Sequence, residues 1–411
     1  MCNRTLYVKA GLLVDGTDAP PVKNGAVLIR DGRLIQVGPS AAVTRPEGAE
    51  IVTFDGFTLL PGLVDCHSHV TFRGDGSAIE EMMSDPDELQ VLLGAQNARR
   101  ALESGVTTLR DNGGRGTTTF AIREGIHRGY MQGPRLLISG RPITATGGHC
   151  WPLGGEADGV DGVRQAVQEL IEEEADWIKV MASGGGTKGT NPHLPSYTLK
   201  ELEAIVQEAH SCGRLVGAHC NCVDGMASLL DAKVDMIIHG NFYSSDGTYR
   251  FDSEIAARMA DTGTWVNPTL HVCRSRIWRL RRLAETQRLT EEQQDYLAHQ
   301  ESYWAMLSDA FQRLLKVGVR LVAGSDSGWS YYPFGHFAEE VDAMVEAGMT
   351  PAQALASATR LSAEAMGLGD QVGVLEAGKA ADMLVVDGNP LEDIRALTRV
   401  VGVFKEGSRV R

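Results

Sequence analysis

Eight short apolar runs, at 59–65, 106–110, 135–139, 177–181, 215–218, 236–239, 265–267 and 320–323, alternate with longer segments of helical periodicity. That alternation is the pattern of βα units around a parallel sheet. Eight units over roughly 310 residues fit a (β/α)8 TIM barrel with insertions. The competing architecture is a doubly wound open sheet, but no Gly-x-Gly-x-x-Gly stands between a first strand and a helix to support its nucleotide-binding form. The abundance of glycine, 47 residues of 411, suits many tight strand-to-helix loops better than a helical bundle.

The two ends of the chain follow a different rule. Before residue 59, short alternating runs are broken by Asp15-Gly16, Asp31-Gly32 and Asp55-Gly56, which are hairpin signals. The last forty residues repeat the idiom, with strands at 383–386 and 400–404 around the turn Asp387-Gly388. The expected organisation is a small β-sandwich domain built from 1–59 and 372–411, and an α/β catalytic barrel over 60–371. One insertion, about 274–316, is rich in Arg, Gln, Glu and Leu with Trp278 and Trp304, and reads as two helices. It is either a solvated helical hairpin or a lid or oligomer contact.

Charge and cysteine content narrow the function. A net charge of −14 argues against a nucleic-acid partner, because phosphate binding needs a basic face. No segment approaches the ~20 apolar residues of a membrane span. Seven scattered cysteines without a CxxC pair suit a reducing compartment. The start of the sequence runs directly into a strand pattern without the features of a leader, so the expected location is the cytoplasm.

The chemistry lies at the ends of the apolar runs. His67 and His69 close the first run, and the period of two in extended chain puts both on one face. His219 closes the fifth, His239 the sixth, and Asp326 follows the eighth. Any one of these histidines alone reads as a hydrogen-bonded core residue. Together, at strand ends that converge on one face of a barrel, they read as a metal site. Lys179 lies inside the fourth run with an apolar neighbour on each side. Buried, it would favour the neutral amine, which can add carbon dioxide to give a two-oxygen carbamate ligand; facing outward, it would be an ordinary salt-bridged lysine.

The set His67-x-His69, Lys179, His219, His239 and Asp326, in that order, resembles the amidohydrolase superfamily in its binuclear form. The phrases Leu60-Pro61-Gly62-Leu63-Val64-Asp65, Gly133-Pro134-Arg135, Thr146-Gly147-Gly148-His149, Ser183-Gly184-Gly185 and Ala381-Asp382-Met383-Leu384-Val385-Val386 resemble the imidazolonepropionase-like branch. That branch contains metal-dependent Xaa-Pro and Xaa-Arg dipeptidases and carboxypeptidases. The resemblance covers essentially the whole chain. It implies two divalent ions, with zinc the first choice: His67, His69 and Asp326 on one, His219 and His239 on the other, and carboxylated Lys179 bridging them with a hydroxide. Asp326 would be the catalytic proton carrier. His149 and Tyr243 would touch substrate, and the branch is commonly oligomeric, so a homo-oligomer is expected.

The implied activity is hydrolysis of the amide bond of a dipeptide or N-acyl amino acid; a urea, carbamate or aryl amide is the alternative on the same metal site. A mononuclear lactam hydrolase fits less well if Lys179 is a ligand. A non-catalytic scaffold would be expected to lack part of the ligand set. Deaminase relatives carry a glutamate shortly after the fifth-strand histidine, and here Cys220-Asn221-Cys222 follows instead. Those cysteines read as small loop residues rather than a thiolate site, and Arg141 as a structural ion pair rather than an anion site. Trp329, Tyr331, Tyr332 and Phe334 either shape an aromatic pocket or cover the barrel mouth.

Overall fold

The structure, a computed structural model, describes residues 5–411. Met1 to Arg4, including Cys2 and the start of the N-terminal stretch read as lacking a leader, lie outside the described residues. Four strands open the chain: β1 (Thr5–Leu13), β2 (Val22–Arg30), β3 (Arg33–Pro39) and β4 (Glu50–Pro61). Asp31 and Gly32 both take positive φ, 49° and 79°, and turn β2 tightly into β3 as a hairpin signal should. Asp55-Gly56 behaves otherwise. It lies inside β4, where Ala10 faces Phe54 but Leu12 faces Thr58, so the two extra residues form a bulge against the parallel neighbour β1. The expected hairpin is replaced by an irregularity because Gly56 takes φ +84° and Gly11 packs against it; a Cβ on Gly11 would stand 2.8 Å from the Gly56 nitrogen.

Eight parallel strands follow. β5 (Leu63–Ser68), β6 (Val106–Asp111) and β7 (Arg135–Ile138) form one sheet. β8 (Ile178–Met181), β9 (Val216–Cys222), β10 (Met236–Tyr243), β11 (Trp265–Asn267) and β12 (Arg320–Leu321) form another. All six residues of β5 are buried, as in a parallel strand covered on both faces. The first run starts at 63 rather than 59 because residues up to Pro61 belong to β4, and Gly62 makes the junction, where any Cβ would meet Thr107 at 2.1 Å. Backbone hydrogen bonds join the two sheets on both sides. Ile143 receives the Met181 amide at 2.9 Å and donates to the Lys179 carbonyl at 2.8 Å. On the other side Asp326 N donates to His67 O at 2.7 Å and His69 N to Ser327 O at 2.9 Å.

The chain ends in β13 (Met383–Val386), β14 (Val400–Lys405) and β15 (Ser408–Arg409), which join the first four strands in the order β15-β14-β13-β4-β1-β2-β3. This is one curled sheet, not the two stacked layers of the expected sandwich. Leu34 N donates to Lys379 O at 2.9 Å, so the β3 edge meets the segment entering β13. A single strip of strands wraps one core, where Phe54 meets Phe404 edge-on at 6.1 Å.

An ion pair ties this sheet to the parallel strands. Arg135 at the start of β7 reaches Asp382 and Glu406, each at 2.7 Å. Asp382 also accepts the Glu406 amide at 2.7 Å, and its side chain is only 3% exposed. Removing one partner of a buried pair costs about 3–5 kcal/mol because it leaves the other charge unpaired. Arg135→Met should therefore lower the urea midpoint markedly. Arg135→Met with Asp382→Asn should recover much of the loss, and a double-mutant cycle would measure the coupling.

Candidate metal and substrate site

The link between β5 and the segment after β12 assembles the first group. His67 and His69 project from the end of β5, and their Nε2 atoms lie 3.3 and 3.5 Å from one oxygen of Asp326. All three ligand atoms fall within 4.8 Å of one another, a spacing able to hold one metal ion. The outward nitrogens are engaged: His67 Nδ1 meets Asn267 Oδ1 at 2.9 Å and His69 Nδ1 meets the Gly113 carbonyl at 3.0 Å. A carbonyl only accepts, so Nδ1 of His69 carries the proton and Nε2 keeps its lone pair; the Asn267 amide nitrogen, donating to Gly324 O at 3.1 Å, orients its oxygen likewise toward His67. Asp65, buried, accepts from the amides of His67 and Ser325 and from the Ser325 hydroxyl at 2.6 Å. Burial pushes its carboxyl up to about 7 against those bonds.

Lys179, His219 and His239 form the second group. The lysine is 1% exposed and lines the same cavity as the histidines, so it faces inward. Burial lowers its ammonium and raises the Asp326 carboxyl. The rings of His219 and His239 lie 4.7 Å apart, and His239 lies 5.6 Å from His67. His219 turns the opposite way from the others. Its Nε2 meets the Gly184 carbonyl at 3.0 Å, which leaves Nδ1 free. His239 Nδ1 meets the Thr269 hydroxyl at 2.7 Å. Burial holds His69 and His219 down to about 3, and His67 and His239 well below the ordinary imidazole value, so all four are neutral donors. His239 and Asp326 both sit at positive φ, 66° and 58°. Such backbone is costly for non-glycine residues and persists where the surroundings over-determine it.

The cavity above these groups is about 320 Å³. His149 and Tyr243 line it. The His149 ring is 4.5 Å from that of His219, and its Nδ1 meets the Thr187 hydroxyl at 2.9 Å. Gly185 permits that position, since a Cβ there would meet His149 Nε2 at 2.6 Å. Of the four aromatics after Asp326, only Trp329 lines the cavity; Tyr332 is buried and donates to the His336 carbonyl at 3.1 Å, while Tyr331 carries Arg279 over its ring. Arg141 pairs with Glu173 at 2.8 Å, as a structural arginine does. Cys220 and Cys222 point at Gly225 on the following helix, away from the ligands.

The insertion is more than a solvated hairpin. It forms two helices, Leu270–Thr286 and Glu291–Val317, and Arg276 from the first and Tyr303 from the second line the cavity. Sequence reasoning missed both, together with Asn267 and Asn221. The spacing of four between Val272 and Arg276 and between Tyr303 and Leu307 sets each pair on one side of its helix, and only the structure turns those sides to the cavity.

The Amidohydrolase family matches residues 58–410, and the chain belongs to that family. It is similar to the ochratoxinase of Aspergillus niger, 29% identical over 98% of this chain and 86% of the relative. The solved structure of that ochratoxinase superposes with a TM-score of 0.82 over all of this chain and 96% of its own, at 28% identity. A Xaa-Pro dipeptidase with methionine bound in its active site superposes with a TM-score of 0.85 at 28% identity, covering 99% of this chain and all of the other. An imidazolonepropionase of Micrococcus luteus is 26% identical over 89% of this chain and 88% of its own. The chain is thus an amidohydrolase of the imidazolonepropionase-like and Xaa-Pro-dipeptidase-like branch, a hydrolase of carbon–nitrogen bonds in small molecules. No helix among the described residues is long and apolar enough to cross a membrane.

Asn267 orients a candidate ligand without being one. Loss of such a partner typically costs 10–100-fold in metal affinity. Asn267→Ala should weaken zinc retention by about that factor in competition with a chromogenic chelator, with a circular-dichroism spectrum like that of the wild type.

Proposed function

We propose that the protein is a binuclear metal-dependent hydrolase that cleaves the amide bond of a dipeptide or N-acyl amino acid. One observation carries this reading: six buried or half-buried residues from five of the parallel strands or the segments just after them, His67, His69, Lys179, His219, His239 and Asp326, line a single cavity. The division at 59/60 and 371/372, and closure of the eight parallel strands into a (β/α)8 barrel, belong to the same reading.

The donor set suits two cations. Four neutral imidazoles present one lone pair each, and Asp326 offers an oxygen to the first pair. His219 and His239 alone supply only two donors, so a second ion needs a third from Lys179, whose buried amine is disposed to the neutral form that carbamate formation requires. His67, His69 and Asp326 would hold one ion, His219 and His239 the other, and the Lys179 carbamate would bridge them. Zinc fits nitrogen and carboxylate donors of this kind, with manganese or cobalt as substitutes. Bound there, the ions would lower the pKa of a water and polarise the scissile carbonyl.

The remaining work falls to the chain. Asp326, held by the hydrogen bond its backbone N–H donates to His67 O, takes the proton of the attacking water and returns it to the leaving nitrogen. His149, beside His219, is placed to donate to the carbonyl oxygen as charge develops on it. Tyr243 lies across the cavity, against Tyr303 at 6.3 Å, as a contact for the rest of the substrate. The similarity to a Xaa-Pro dipeptidase supports an amide substrate over a urea or carbamate.

Two measurements test this. Lys179→Ala should retain about one zinc per chain instead of two by elemental analysis and lose at least about 100-fold in kcat, the scale of one lost catalytic group; a variant with full metal content and rate would overturn the binuclear assignment. Amine release from dipeptides and N-acyl amino acids, set beside aryl carbamates and ureas, should occur only in the first set, and turnover confined to the second would move the substrate class.

A further inference from the structure

We infer that the end of the parallel strands opposite the candidate metal site carries a second binding site, a cavity in which Arg110 and Arg214 take up a small organic dicarboxylate.

A cavity of about 550 Å³ opens at the starts of β7, β8 and β9 and shares no lining residue with the catalytic cavity. Arg110, in β6, reaches it from within the fold and is only 2% exposed. Its Nε donates to the Cys66 carbonyl at 2.7 Å, one terminal nitrogen faces the Met236 sulfur at 2.7 Å, and the guanidinium lies 4.0 Å over the Trp177 ring. A thioether is a weak acceptor, and an arginine keeps its charge when buried. Asp65 and Asp235 act on Arg110 at longer range, and burial pulls its pKa down against both. Neither bonds to it: the Asp65 carboxylate is engaged by Ser325 and His67, and that of Asp235 by His210 and Val216.

The segment before β9 supplies a second cation. Arg214 is half-buried, its Nε is fully buried without an acceptor, and its guanidinium makes no hydrogen bond or ion pair among the described residues. The other charges of the lining are satisfied. Arg135 holds Asp382 and Glu406, while Asp176 accepts from Arg123 at 2.8 Å and from the Ile138 amide at 2.9 Å. In a chain of net charge −14, two guanidiniums without a bonded carboxylate beside one cavity mark it as a place for an anion. Burying such a charge unpaired is costly, and a carboxylate matches the guanidinium fork.

Charge and walls select the occupant. A monoanion would leave one guanidinium uncompensated, whereas a dianion answers both. Leu137, Leu215 and Leu368 line the cavity beside Trp177, so the body between the charges is hydrocarbon. Sulfate or phosphate would carry the charge but leave those walls bare. Arg110 also stands between this cavity and the metal site, since the carbonyl it holds belongs to the residue before His67.

Adipate, hexanoate and sulfate, titrated by calorimetry, provide the test. The proteins are zinc-loaded wild type, Arg214→Gln, Arg110→Gln and Arg276→Gln, with metal content matched. Wild type should bind adipate at least about 10-fold more tightly than hexanoate or sulfate, and Arg214→Gln should weaken adipate about 10–100-fold. Arg276→Gln, which alters the arginine of the catalytic cavity, should change adipate binding less than about threefold, as expected of a distant site. Arg110→Gln should match Arg214→Gln; if its circular-dichroism spectrum shows that it fails to fold, Arg214→Gln carries the test alone. A wild type that does not prefer adipate, unchanged adipate binding in Arg214→Gln, or a loss in Arg276→Gln as large as in Arg214→Gln would each overturn the assignment.

Discussion

The site depends first on the hydrogen bonds that join the segment after β12 to β5. Asp326 N to His67 O, His69 N to Ser327 O and the Asp65 carboxylate on Ser325 are contacts between the first and the last parallel strands. The same contacts bring two histidines and an aspartate from positions some 257 residues apart onto one point. Joining the strands and assembling this candidate ligand group are therefore one event. Asp326 occupies left-handed backbone here, and its main-chain N–H and C=O are both hydrogen-bonded, which is how a strained residue is kept in place.

Electrostatics gives the second constraint. Around one cavity the fold buries four imidazoles, a lysine and an aspartate, and burial pushes each toward its neutral form. A neutral core of this kind is poor at attracting anions and well suited to cations, since imidazole lone pairs and carboxylate oxygens are donors. Each histidine is aimed by a partner on its far nitrogen, and those partners come from three separate segments: Asn267 and Thr269 at the end of β11, Gly113 after β6 and Gly184 after β8. The inward geometry is thus set by groups behind the ring of histidines, of which only Thr269 also lines the cavity.

This layering explains what could be read from the sequence. Strand ends and their polar residues were legible, because a period of two and the convergence of parallel strands are local rules. His67, His69, His219, His239 and Asp326 all follow from them. The direction of Lys179 did not, since inside a short strand covered on both faces each side is apolar. Asp55-Gly56 misled for a related reason: a glycine at positive φ serves a bulge as well as a turn, and only the partner strand decides between them. The quoted phrases carried more structure than could be seen from sequence. Arg135 and Asp382, from two of them, turn out to be one ion pair, and Gly184 and Gly185, from a third, hold His219 and make room for His149.

Arg276 was illegible because it comes from an insertion, whose placement no barrel rule dictates, yet its position is tied to the ligands. The buried Glu340 accepts the amides of Leu270 at 2.9 Å and His271 at 2.5 Å, fixing the start of the helix that carries Arg276. Thr269, immediately before it, holds the far nitrogen of His239. Arg274 anchors the next turn through Asp342 and Glu346 and lies over the Trp278 ring at 4.4 Å. Six residues of helix, about 9 Å, separate Leu270 from Arg276. The distance between His239 and Arg276, which both line the cavity, is therefore set by a helix pinned at its N-terminus rather than by a loop. A lid free to move would decouple recognition from chemistry. A wall fixed in this way makes the fit of a substrate at one end report directly on where its scissile bond lies at the other.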